Sequence, residues 1–202
     1  MSNYEQVIQT MYSGCRFRSR LEARWAVLLD RLGADWEYEP EGFVLSDETY
    51  YLPDFLVHNV EGRAGGDDLW IEVKGEMTRK DADKVNMFAF PDGMLTGLDK
   101  PDRKIFVVGG IPHFKDFWDL CQQIEEAKES DPFFKLYSLE TVDGDNWGAM
   151  PAITKSGKFC LHAAGNADEV DTDRTVNAYA AALQARFEHG ETPRGIKNRT
   201  AW

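Results

Sequence analysis

An aspartate stands inside the apolar run Tyr50-Tyr51-Leu52-Pro53-Asp54-Phe55-Leu56-Val57. Eighteen residues further on, a second such run, Leu69-Trp70-Ile71-Glu72-Val73-Lys74-Gly75, carries Glu72 and Lys74. Both runs have the β-branched and aromatic content of strands. Ionised side chains oppose the burial that makes such strands. Leaving them uncompensated would cost several kcal/mol, and a bound cation is one compensation. The residue types therefore predict a metal-dependent site, with phosphodiester cleavage as its chemistry.

The elements around these residues must bring them together. Strand alternation puts Trp70, Glu72 and Lys74 on one face and Leu69, Ile71 and Val73 on the other, with Asp54 on the face of Leu52 and Leu56. Antiparallel pairing of the two strands would bring Asp54 and Glu72 to one end of a sheet. A helix is predicted over 18–32 from Leu21, Trp25, Leu28 and Leu32, with Ser19 as its cap and Gly33 at its end. Glu22 lies beside Trp25, Ala26 and Leu29 on that helix and points along or towards the sheet. Three carboxylates and a lysine would then share one pocket.

Further strands are expected at 36–39, 43–45, 104–108 and 134–139, and further helices at 78–90, 113–128 and 174–188. A hairpin is expected within 147–165, and a loop over 61–68. The implied class is α/β: a mixed β-sheet flanked by helices in αβββαβ order, with a C-terminal α+β extension. Residues 1–140 form the core, and residues 141–202 add a hairpin, a helix and a basic tail packed on the same domain.

Pro53-Asp54 together with Glu72-Val73-Lys74 resembles the PD-(D/E)XK nuclease superfamily, whose fold is restriction-endonuclease-like. Glu22, in Ser19-Arg20-Leu21-Glu22, resembles the helix glutamate of branches related to Holliday-junction resolvases and to the endonuclease subunit of Tn7-like transposases. The resemblance spans residues 16–108. The acidic-x-Lys triplet recurs at Asp102–Lys104 and Glu126–Lys128, in a turn and on a helix, so strand context separates the first from the others. The resemblance implies DNA as partner and Mg²⁺ as cofactor, with Mn²⁺ as substitute. Its ligands would be Asp54, Glu72, the Val73 carbonyl and Glu22, hard oxygen donors of the kind Mg²⁺ takes. Lys74 would act as a cation at the scissile phosphate.

Arg16, Arg20 and Arg24 recur every fourth residue, and Arg79, Lys80 and Lys84 follow the second strand. Both sets are expected to hold DNA phosphates, the alternative being a solvated helix face. Arg194, Lys197 and Arg199 make the tail basic. His58, His113, His162 and His189 have no metal-ligand spacing. Cys15, Cys121 and Cys160 are too scattered for a disulfide framework or zinc site, which suits a cytoplasmic location. Neither a signal peptide nor a membrane span is expected.

Charge complicates the assignment. The chain of 202 residues carries a net −12, and most of that excess lies in residues 35–72, around the carboxylates. Such acidity disfavours non-specific DNA affinity. It keeps open a non-catalytic nuclease-fold adaptor or acidic DNA mimic that binds a partner protein. It also suits a nuclease subunit to which a partner delivers DNA. A homodimer would serve paired cuts. Taken singly, Asp54 reads as a turn residue, Glu72–Lys74 as a surface ion pair and Glu22 as a helix cap.

Overall fold

The computed structural model describes residues 10–60, 68–93, 102–130, 149–163 and 169–187. A hairpin opens the chain: β1 (Thr10–Tyr12) and β2 (Cys15–Phe17) pair antiparallel around Ser13-Gly14. Both turn residues have positive φ, 49° and 83°, the twist that two-residue hairpins favour. The segment is otherwise polar and mixed, and the Ser-Gly pair is its one local turn signal.

Helix α1 (Arg20–Arg31) starts at Ser19, whose Oγ accepts the Glu22 N–H at 3.1 Å. It ends where Gly33 adopts φ 75°. Trp25, Ala26, Leu28 and Leu29 form its buried stripe. The chain then makes β3 (Asp35–Tyr38), the short hairpin β4 (Phe43–Val44) and β5 (Tyr50–Tyr51), then β6 (Phe55–His58) and β7 (Leu69–Val73). Helix α2 (Arg79–Ala89) follows, with a Thr78–Asp81 capping box, and then β8 (Ile105–Val108).

The central sheet has the order β3-β6-β7-β8. The first three strands pair antiparallel and β8 joins β7 in parallel. That last step needs a crossover, which α2 provides. The protein is thus mixed α/β. Strand alternation divides two cores. Ile71, Val73, Phe106 and Val108 pack with α1, Phe17, Phe55 and Val57. Ile105 and Val107 pack with Tyr51, Val85 and Phe88 on the α2 side, where Trp70 joins them.

The run 50–57 is not one strand. Tyr50–Tyr51 pairs with β4 and Phe55–His58 joins the main sheet, while Leu52, Pro53 and Asp54 belong to neither. Proline has no N–H to donate to a ladder, so the run breaks there. Asp54 is therefore the residue before a strand, not a member of an alternating face with Leu52 and Leu56.

Toward the C-terminus come α3 (Phe117–Ser130), the antiparallel hairpin β9 (Ala149–Ile153) and β10 (Phe159–Ala163), and α4 (Thr172–Gln184). Met150, Ile153, Ala178, Tyr179 and Ala182 enter the same core as α1, and the Tyr179 hydroxyl donates to the Pro151 carbonyl at 3.0 Å. Helix α3 starts later than expected, at Phe117, where Asp116 caps it by accepting the Asp119 N–H at 2.9 Å. Helix α4 starts earlier, where Asp171 caps it. The loop expected at 61–68 (apart from Asp68), the strand expected at 134–139, His189 and the tail cations Arg194, Lys197 and Arg199 lie outside the described residues. Among the described residues no helix is long and apolar enough to cross a membrane.

Candidate active site

Phe55 pairs with Ile71 in the β6–β7 register, so one further step sets Asp54 opposite Glu72. Asp54 is 2 % exposed, Glu72 3 % and Glu22 7 %. Burial this deep requires every carboxylate to find hydrogen-bond donors.

Asp54 takes two. The Val73 N–H donates to Oδ2 at 2.7 Å, and Arg18 Nη2 lies 2.6 Å from Oδ1. Glu72 accepts the Tyr51 hydroxyl at 3.0 Å, and Lys74 Nζ lies 2.8 Å from its other oxygen. Glu22 accepts the Tyr38 hydroxyl at 2.7 Å, the Arg18 N–H at 3.0 Å and the Ser19 hydroxyl at 2.8 Å. Glu22 is thus a helix cap, though its reach extends one residue past the cap to the Arg18 amide. Glu72 and Lys74 are an ion pair, with Glu72 buried on β7 and Lys74 part-exposed just past the strand's end. The bland and the functional readings of these residues coexist.

The carboxylates feel one another. Burial, the Glu72 charge and the Glu22 charge raise the Asp54 pKa to about 7, although the Val73 hydrogen bond and Arg18 pull it down. Burial opposes the charge on Lys74. Attraction and a hydrogen bond to Glu72, with the fields of Asp54 and Asp81, still leave the ammonium above the ordinary lysine value. Lys74 is therefore a cation at neutral pH and not a proton acceptor. The Tyr51 and Tyr38 hydroxyls are held protonated, chiefly by burial and then by the carboxylates they serve.

A cleft of about 200 Å³ opens over Glu72 and Lys74. Arg18, Asp81 and Lys84 line it, with Tyr50, Tyr51 and Leu52 forming another side. Of the six cations expected to hold phosphates, Lys84 alone lines this cleft. Arg79 and Lys80 are exposed on the first turn of α2, and Arg16 is exposed on β2 opposite Met11. Arg20 and Arg24 line a different cleft, of about 730 Å³, with Arg186 and Phe187 beyond the end of α4. Two residues of helix turn through about 200°, so Glu22 and these arginines face away from each other. Arg18, Tyr38 and Tyr51 complete the site instead. An arginine four residues before Glu22 and single strand tyrosines carry no sequence signature of their own.

No protein-family model matches this chain, and no curated protein is similar to it in sequence.

Among the described residues no three Asp, Glu, His or Cys side chains already converge at metal-ligand spacing. Oxygens of Asp54 and Glu72 lie against Arg18 and Lys74 instead. The donor chemistry nevertheless fits a hard divalent cation. Asp54, whose pKa is raised in part by the Glu72 and Glu22 charges, forms a negative pole with them, and carboxylate oxygens are what Mg²⁺ and Mn²⁺ take.

Proposed function

We propose that this chain is a metal-dependent DNA endonuclease with a restriction-endonuclease-like fold, nearer the resolvase and transposon-nuclease branches than the exonuclease ones. The observation that carries the reading is the buried pair of Asp54, just before β6, and Glu72 on β7, with Lys74 2.8 Å from Glu72. The order helix, three antiparallel strands, helix, parallel strand agrees with it. Asp54, Glu72 and the Val73 carbonyl would hold the cation, and Glu22 would hold a second one or orient its water. Such an ion supplies Lewis acidity and charge neutralisation at a phosphate.

The chain's own groups do the rest. Lys74 stays charged and aims its ammonium at the anionic centre, where positive charge stabilises a developing phosphorane. Tyr51 fixes the Glu72 carboxylate, and the Val73 amide fixes Asp54, so neither must be organised when substrate arrives. Arg18, 54 % exposed and ion-paired to Asp54 and Glu39, could turn outward to a phosphate once a cation at Asp54 replaces its charge. A non-catalytic adaptor or DNA mimic is the competing reading, favoured by the net charge of −12.

The test is cleavage of supercoiled plasmid, branched junction, flap and single-stranded DNA with Mg²⁺ or Mn²⁺, beside an Asp54→Ala, Lys74→Ala double variant. Metal-dependent cutting that the double variant loses supports the nuclease. No cutting of any substrate, and no thermal stabilisation by either metal, supports the adaptor.

A further inference from the structure

The β4–β5 hairpin has one anchored face and one bare face, and the bare face borders the carboxylate cleft. Phe43 pairs with Tyr51 across the hairpin. Their rings lie 4.9 Å and 5.2 Å from the Phe88 ring of α2, and Phe43 also meets Trp70. The next pair is Val44 with Tyr50, and these are 66 % and 85 % exposed. Leu52, just past β5, is 37 % exposed, and both Tyr50 and Leu52 line the cleft with Arg18, Glu72, Lys74 and Lys84.

The exposed tyrosine is presented on a braced support. The hairpin turn is closed by Leu45 N–H to the Thr49 carbonyl at 2.9 Å, and Asp47 accepts both the amide and the hydroxyl of Thr49. Leu45 is buried in the α2-side core. A tyrosine on a braced backbone offers a flat apolar face with only two side-chain torsions to fix on binding. The cleft thus combines cations at Arg18, Lys74 and Lys84 and acids at Glu72 and Asp81 with aromatic and aliphatic lining at Tyr50 and Leu52. Asp47 and Glu48 at the hairpin tip would repel a phosphate backbone, which leaves the cations for phosphates and the tyrosine for a base.

From this juxtaposition we propose that Tyr50, backed by Leu52, stacks on an unpaired nucleobase beside the phosphate held at the carboxylate cleft. The substrate class is then a nucleic acid with an unstacked base at the cut, such as a flap, gap or branch, in preference to continuous duplex. The inference rests on the nuclease reading above. Within a continuous duplex the base faces are covered by their neighbours, so Tyr50 would have nothing to stack on.

The test compares wild type, Tyr50→Ala and Tyr50→Trp on a continuous duplex and on the same duplex carrying a short flap. Cleavage is measured with Mg²⁺, and a fluorescent aminopurine at the flap base reports stacking by quenching, which needs no cleavage. Wild type should quench the reporter and cut the flap better than the duplex. Tyr50→Ala should lose the quenching and about tenfold in flap cutting, losing the preference for flap over duplex at unchanged melting temperature, whereas Tyr50→Trp keeps both readouts. Flap cleavage by Tyr50→Ala equal to wild type overturns the proposal and leaves the nuclease standing. So does wild-type cleavage without quenching. Neither cleavage nor quenching by wild type takes both readings down together.

Discussion

Arg18 Nη2 lies 2.6 Å from Asp54 Oδ1, so the most deeply buried carboxylate of the site is balanced by a guanidinium that is itself half exposed. The same arginine reaches Glu39 at 2.7 Å, and its backbone N–H serves Glu22. One residue at the entrance to α1 thus ties together the helix, the end of β3 and the residue preceding β6.

A cation at Asp54 must compete with that guanidinium. Replacing Arg18 with alanine should therefore lower the Mn²⁺ concentration needed for half-maximal thermal stabilisation, by about fivefold. Stability without metal should fall by about 1–3 kcal/mol, since buried Asp54 loses one of its two donors. A melting series against Mn²⁺ decides it, and an unchanged midpoint would show that the two cations do not share Asp54.

Proton linkage at Asp54 has a definite sign. Its folded pKa of about 7 lies above the ordinary 3.8, so the folded state holds this proton more tightly than the unfolded chain does. The resulting stabilisation is full below about pH 4 and is lost as pH rises towards 7. His58, raised by Glu37 and Asp68 against the effect of burial, adds a loss of the same sign above the ordinary histidine range. In chelator the melting temperature should decline between these limits more steeply for wild type than for Asp54→Asn. Stabilisation by Mn²⁺ should run the other way and be greater above pH 7, where Asp54 is ionised. A melting temperature that rises with pH across this window in chelator would contradict the linkage.

Tyr51 separates packing from polar support. Tyr51→Phe keeps the ring against Phe88 but removes the hydroxyl that donates to Glu72 at 3.0 Å. Denaturant unfolding should show a loss of about 1–3 kcal/mol, the cost of an under-satisfied buried carboxylate. Tyr51→Ala also removes the ring and should cost about 3–5 kcal/mol. Equal losses for the two would mean the hydroxyl contributes nothing.

Glu22 can be assigned to capping or to chemistry by charge alone. Glu22→Gln retains a side-chain oxygen for the Tyr38 hydroxyl and the Arg18 amide, whereas Glu22→Ala abandons both, at about 1–3 kcal/mol. A purely capping role predicts near-normal cleavage by the glutamine variant. A role beside the cation predicts at least about tenfold less cleavage at nearly unchanged melting temperature.

The conflict between charge and apolar surroundings is visible in one dimension, which is why Asp54, Glu72 and Lys74 stand out from the chain alone. Periodicity likewise determined α1, α2, the strands at 35–38, 43–44 and 69–73 and the buried strand at 105–108. Each depends on local spacing and on which face a residue must bury. The break at Pro53 was also written locally, through the missing amide, yet which sheet each half would join was not.

Tertiary structure decided everything that depends on a partner distant in sequence. Arg18 became the counterion of Asp54 across thirty-six residues. Tyr38 and Tyr51 became donors because the register turned their hydroxyls towards Glu22 and Glu72. Arg20 and Arg24, whose spacing looked like a phosphate rail beside Glu22, went to the opposite side of α1, into the cleft at the end of α4. A helix of fixed pitch cannot present residues two apart to one ligand, and only the packing of α4 on α1 gave those arginines their surroundings. Local residue types chose the chemistry of the site. Long-range packing chose which charges would meet there, because only a closed core sets the distances over which charges act.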